Sequence, residues 1–277
     1  MRAGLAADPY AVFRDNLHPA ALHARRHWLG EGGRTFARLV RDQARRRAAL
    51  LDRAGTPLAD RIAGLWALWL LDALDHPAAG RALDWLMDRA IPFAQRQSPR
   101  RASDEDLFHH LDADEPLVAA SLAETPFQPT ERVLLKTCAA LFFAGAMGRS
   151  KDADLRRAAS VLAQRLNAGK WSCGVLCDVL LAASTVSNPE AKTVAGLAAA
   201  RLAAQQRPDG AWPRPLPLGV AAWALGRLGS RVAHRSLQRA VPALIVRQQR
   251  DGAFGLARRE TQTWFAVAAL KAAGALP

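Results

Sequence analysis

The stretch "LAAQQRPDGAWP", residues 202 to 213, ends an alanine-rich run with Gln206, Gly210 and Trp212 at fixed offsets. Nearly the same arrangement returns in "IVRQQRDGAFG", with Gln248, Gly252 and Phe254. A looser copy, "VLAQRLNAGKW", carries Gln164, Gly169 and Trp171 with one extra residue before the glycine. Gly169, Gly210 and Gly252 are therefore 41 and 42 residues apart. Each copy follows one helix-forming run (152–166, 189–206, 232–249) and precedes another (172–186, 216–229, 259–275). A repeat of this length is a helix–turn–helix unit that buries its apolar face only by stacking on its neighbours.

Helix-boundary chemistry supports the same division. In "VSNPEAK", Asn188 is placed as an N-cap, Pro189 as the first helical residue and Glu190 in the first turn. Pro57 and Pro77 mark similar starts, whereas Pro92 and Pro242 fall inside predicted helices and predict kinks. Half of the chain is apolar, and Val, Ile, Thr and Tyr never gather into alternating runs. That pattern predicts an all-α protein.

Toward the N-terminus the helix alternation continues as pairs at 34–53 and 58–74, 78–97 and 103–111, and 115–124 and 130–148. With the three repeats this makes six pairs. One set of helices is richer in apolar residues along its length, as in "RIAGLWALWLLDAL" and "TWFAVAALKAAGAL", and helices apolar all round are buried on all sides. The other carries arginines on one face, as in "DADLRRAASVLAQR". Six inner and six outer helices predict a closed (α/α)6 toroid over 34–277, with 1–33 as an N-terminal helical extension packed across a mouth or edge.

The recurring Gln-x3-Gly-x-Trp between outer and inner helices resembles the QW motif of the terpenoid cyclase and protein prenyltransferase superfamily. The copies cover the C-terminal half, and the N-terminal half agrees only through helix spacing. The resemblance implies a structural role for the motif. The Gln satisfies free backbone groups at a neighbouring helix end, the Trp stacks against it, and the Gly permits the turn.

Protein prenyltransferases of this fold hold zinc through an Asp, a nearby Cys and a late inner-helix His. No His stands in "RETQTWFAVAAL", and neither Cys173 nor Cys177 lies two residues after an Asp. No metal site is expected. Cyclases of the squalene–hopene type are nearer in kind. They protonate an alkene or epoxide with the middle Asp of Asp-x-Asp-Asp and need no metal or organic cofactor for that step. Here "HHLDADEPLVAASLA" supplies Asp112, Asp114 and Glu115, with Glu in place of the last Asp and Pro116 where Thr is usual.

Three carboxylates within four residues cannot all ionise cheaply in a dry cavity, so one retains its proton and becomes an acid. The resemblance implies Asp114 as that acid, Asp112 and Glu115 as its electrostatic partners, and His109 and His110 beside them. A second reading makes Asp114 an ordinary N-cap with Glu115 and Pro116 in the first turn. Helix parity places 115–124 on an outer helix, whereas the family motif opens an inner one. Both readings stand at this point.

Trp66, Trp69, Phe142, Trp223 and Trp264 fall on predicted inner helices and are candidates to line a pocket for a polyene or carbocation. Aromatics at such spacing serve equally as core. Asp178 is a second candidate acid, and Lys136, Thr137, Glu260 and Gln262 are further polar residues of inner helices. Cys138, Cys173 and Cys177 make no disulfide framework and read as small core residues of a reducing compartment.

The net charge of +13 is mostly arginine, since only five of the 38 basic residues are lysine. It fits a dispersed solvated surface or an anionic membrane surface. Basic runs such as "RDQARRR" and "ALHARRHW" are not interleaved with aromatics, so nucleic acid is not an expected partner. No apolar segment approaches the roughly 18 to 20 residues of a membrane span, and the N-terminus does not read as a signal peptide. The expected location is cytoplasmic, at most peripheral on the inner membrane face.

The leading expectation is a class II-type terpenoid cyclase-like enzyme that protonates and cyclises a polyprenyl substrate. The alternative is a non-catalytic toroid that binds a lipid or a protein partner. An aromatic cavity with Asp114 at its wall favours the first, and a plugged interior favours the second.

Overall fold

The computed structural model describes residues 4–88, 107–108, 119–129 and 132–277. Among these residues all regular structure is helical. A 3-10 turn at Ala11–Phe13 is followed by α1 (Pro19–His27), α2 (Arg34–Leu51), α3 (Leu58–Leu70) and α4 (Pro77–Leu86). Then come α5 (Ala119–Leu122), α6 (Arg132–Ala146), α7 (Ala153–Ala168) and α8 (Cys173–Thr185). The chain ends with α9 (Pro189–Ala204), α10 (Leu218–Gly226), α11 (Arg231–Ile245) and α12 (Arg259–Ala272).

The helix starts follow the capping chemistry. Asn188 Oδ1 accepts from Ala191 N at 2.7 Å, with Pro189 as the first residue of α9. Two His-Pro pairs act in the same way. His18 Nδ1 accepts from Ala20 N and His76 Nδ1 from Ala78 N, each at 3.2 Å, ahead of Pro19 and Pro77. Pro242 lies inside α11, where it contributes no N–H to the helical ladder. Pro92 lies outside the described residues.

Apolar content sorts the helices. In α8 every residue from Leu176 to Ala183 is buried, Asp178 included, and in α10 every residue from Leu218 to Leu225 is buried. By contrast α2 and α11 bury one stripe and turn their arginines to solvent. The apolar helices pack in sequence: α3 on α6, α6 on α8, α8 on α10, and α10 on α12. Helix α1, from the segment read as an extension, packs against both α3 and α12. The amphipathic helices lie against them, α2 on α3, α4 on α6, α9 on α8 and α11 on α10.

The Gln–Gly–Trp turns join the two kinds of helix. Gln206 Nε2 donates to Gly210 O at 2.8 Å and Ser236 O at 2.9 Å, while its Oε1 accepts from Ser236 Oγ at 2.7 Å. Trp212 Nε1 donates to Leu202 O at 2.8 Å, closing the end of α9. Gly210 has φ +81°, and a Cβ there would meet Arg239 O at 2.1 Å, so the turn seats directly on α11.

The next copy repeats this geometry on a different partner. Gln248 Oε1 accepts from Ala6 N at 2.7 Å and Ala7 N at 3.2 Å, and its Nε2 donates to Ala7 O at 2.9 Å. A Cβ on Gly252 (φ +89°) would meet Asp8 O at 2.1 Å. The N-terminal segment thus occupies, against this turn, the place that α11 occupies against the previous one. The loose first copy differs. Its extra residue leaves Gln164 exposed and Gly169 extended at φ −141°, and Gln205 Nε2 binds Trp171 O instead, at 2.9 Å.

Candidate functional site

The five aromatic residues singled out on apolar helices come together. Trp66 and Trp69 of α3 stack at 4.6 Å. Trp66 also meets Phe142 of α6 at 6.0 Å, Trp223 of α10 at 5.6 Å and Trp264 of α12 at 5.8 Å. Trp69 touches the same three rings at 6.0, 6.2 and 6.0 Å. These are distances of direct ring contact in edge-to-face and stacked arrangements. The rings meet one another as a packed cluster, with Trp66, Phe142 and Trp264 at most 2% exposed.

Three residues of this cluster escaped the sequence reading. Trp264 Nε1 donates to His23 Nδ1 at 3.1 Å, and the His23 ring stacks on Trp69 at 5.8 Å. That bond leaves the proton of the neutral imidazole on Nε2. Burial pushes the His23 pKa down to about 4, with the nearby His27 and Arg26 adding to the shift and Asp72 opposing it. Trp28 stacks on Trp264 at 5.7 Å. Arg227 lays its guanidinium over Trp223 at 5.2 Å and Phe142 at 5.7 Å, with Nε donating to Ser184 Oγ at 3.1 Å. Burial lowers its pKa without discharging a guanidinium.

Beside this cluster lies a pocket of about 530 Å³, within the usual range for small-molecule sites. Its floor is α3, from Asp60 through Ala63, Gly64 and Ala67 to Leu70, and it reaches Trp66. Helix α2 contributes Arg47 and Leu50, the turn from Arg53 to Pro57 forms one wall, and His18, Pro19, Ser121 and Glu124 complete the lining. Its carboxylates are already engaged: Ser121 Oγ donates to Asp60, and Thr261 Oγ1 donates to Glu124.

Glu124 also faces Arg258 Nε at 3.1 Å and His18 Nε2 at 3.4 Å. Burial pushes its pKa up. The hydrogen bonds from His18 and Thr261, with the charges of His18 and Arg258, outweigh that and hold it below the ordinary carboxylate value. Glu260 at the start of α12 accepts from Asn16 Nδ2 at 2.7 Å.

The remaining candidates fall elsewhere. Asp178 is buried in α8, where its carboxylate accepts from Gln128 N at 3.0 and 3.3 Å and so holds the segment before α6. Thr137 Oγ1 accepts from Phe108 N at 3.1 Å. Lys136 donates to Asp88 O at 3.0 Å with its ammonium over Trp85 at 4.8 Å; burial lowers its pKa to about 8, opposed by Asp88 and assisted by Arg61. Cys138 and Cys177 are buried thiols whose pKa burial pushes up, and Cys173 Sγ donates to Gln205 Oε1 at 2.9 Å.

Asp112, Asp114 and Glu115, with His109 and His110, lie outside the described residues. Among the described residues no group of three or more His, Cys, Asp or Glu is placed to hold a metal ion. Nor is any described helix long and apolar enough to cross a membrane. No family model matches the chain, and no curated protein or solved structure matches it.

Proposed function

We propose that this chain is an (α/α)6 toroid of the terpenoid cyclase and prenyltransferase kind that binds a hydrophobic isoprenoid chain. The packed succession of the apolar helices α3, α6, α8, α10 and α12, with α1 of the N-terminal segment between α12 and α3, supports the double ring. The N-terminal segment against Gln248 supports its closure on the outer side. The observation that carries the binding reading is the pocket along α3, whose small side chains leave an apolar floor reaching Trp66. Because the five rings already touch one another, the ligand lies along α3 rather than among them. This favours lipid binding over polycyclisation in a central chamber.

The test is a titration of the purified protein with farnesol, read by tryptophan fluorescence and calorimetry. Saturable binding with a change in Trp emission is expected. Absence of saturable heat and emission change up to the solubility limit contradicts the reading.

A catalytic version keeps Asp114 as the proton donor with Asp112 and Glu115 as partners, and uses no cofactor. Its support is the carboxylate cluster itself and its position in the chain, shortly before Ser121 and Glu124 of the pocket lining. Incubation with polyprenyl substrates, followed by product analysis of wild type and Asp114→Asn, decides it. Cyclised product lost in the variant supports the version, and product formed undiminished by the variant contradicts it. Docking on an anionic membrane surface belongs to the same proposal. The +13 charge supports it, as do Val246 and Leu256, 85% and 86% exposed and close in sequence to Arg247 and Arg250.

A further inference from the structure

Two arginines and two carboxylates line the α3 pocket, but their charges are not compensated alike. The charge of Glu124 is met by Arg258, with Thr261 and His18 beside it, whereas Asp60 is bonded only to the neutral Ser121 hydroxyl and keeps its negative charge. Arg47 of α2 and Arg53 of the turn that follows it have no hydrogen-bond or ion-pair partner for their guanidinium groups among the described residues. Two guanidinium groups thus stand against the single carboxylate of Asp60, and the balance at the pocket is positive by one charge. Its floor is the opposite in character, because Ala63, Gly64 and Ala67 present almost no side chain over a stretch of α3 that spans roughly 15 Å from Asp60 to Leu70.

An apolar slot bordered by unpaired guanidinium groups suits a molecule with an apolar chain and an anionic head. We propose that the pocket binds a single-chain amphiphile with a carboxylate or phosphate head, its chain along Ala63, Gly64 and Ala67 and its head at Arg47 and Arg53. This rests on the lipid-binding reading above and adds the head group to it. Both head groups offer the same chemistry, oxygens that accept from guanidinium N–H donors.

The experiment compares oleate, oleyl phosphate and neutral oleyl alcohol, each below its aggregation threshold, by calorimetry on wild type, Arg47→Gln/Arg53→Gln and Ala63→Phe. The expected result is that the two anionic ligands bind about tenfold or more tightly than the alcohol. Their order separates a carboxylate from a phosphate preference. In the double arginine variant that advantage disappears while the alcohol binds as before, and Ala63→Phe, with its fold checked by circular dichroism, loses all three. Equal affinity for alcohol and anions in wild type, or an advantage that survives the double variant, overturns the head-group assignment while leaving lipid binding intact. Undiminished binding in Ala63→Phe moves the ligand out of the slot, and failure of all three ligands on wild type removes the lipid reading itself.

Discussion

Gln248 binds the backbone of Ala7 from both ends of its amide, accepting from Ala7 N at 3.2 Å and donating to Ala7 O at 2.9 Å. The two residues are 241 apart in the chain. Gln206 does the same to Ser236, donating to its carbonyl and accepting from its hydroxyl. One device therefore fastens helix to helix within the chain and then the N-terminal segment to the last turn.

Breaking this fastening at its two ends separates local from global effects. Gln206→Ala and Gln248→Ala each leave buried backbone groups unsatisfied and are expected to cost about 1–3 kcal/mol in urea unfolding. Only Gln248→Ala should also expose the amides of Ala6 and Ala7 to rapid hydrogen exchange. Gly252→Ala adds a clash with Asp8 O and a strained positive φ, so it should free the same amides at least as fully.

His23 makes stability depend on pH in a defined window. Its pKa is about 4 in the folded chain, against an ordinary 6.5. The unfolded chain therefore takes up the proton first as pH falls, and the folded state loses stability progressively from about pH 6.5 down to about 4. The loss is on the order of 3 kcal/mol when complete. Urea unfolding at pH 7 and pH 4.5 on wild type and His23→Gln checks this. The variant should lose less stability than wild type over that interval.

Trp66 combines a large buried ring with an indole N–H that has no hydrogen-bond acceptor among the described residues. Trp66→Phe removes that unsatisfied donor and is expected to be much milder than truncation. Trp66→Ala opens a cavity in the ring cluster and is expected to cost about 3–5 kcal/mol. Thermal unfolding of the two variants should separate clearly, and equal losses would show that the N–H matters more than the ring.

The helical class and most helix boundaries were readable because they depend on local signals. Asn188 before Pro189 and the fully apolar runs of α8 and α10 each announce their own structure. The candidate site was readable only as a set of rings. Trp66, Trp69, Phe142, Trp223 and Trp264 do meet, but sequence spacing cannot tell rings that line a space from rings that fill it.

His23 and Trp28 were hidden in a stretch that reads as basic, although His23 and His27 stand one helical turn apart and contact at 4.4 Å. Glu124 was missed because its partners, His18, Arg258 and Thr261, come from distant parts of the chain. The seat for Gln248 was missed because residues 6 to 8 offer it backbone groups, which leave no trace in side-chain pattern.

Photocrosslinking tests whether an isoprenoid chain lies in the pocket along α3. A farnesol analogue carrying a diazirine on its chain is irradiated with the protein, and the labelled residues are mapped by mass spectrometry. Label is expected on Ala63, Gly64, Ala67 or Trp66, and excess farnesol should suppress it. Label confined to other surfaces, or label that excess farnesol does not suppress, contradicts this placement.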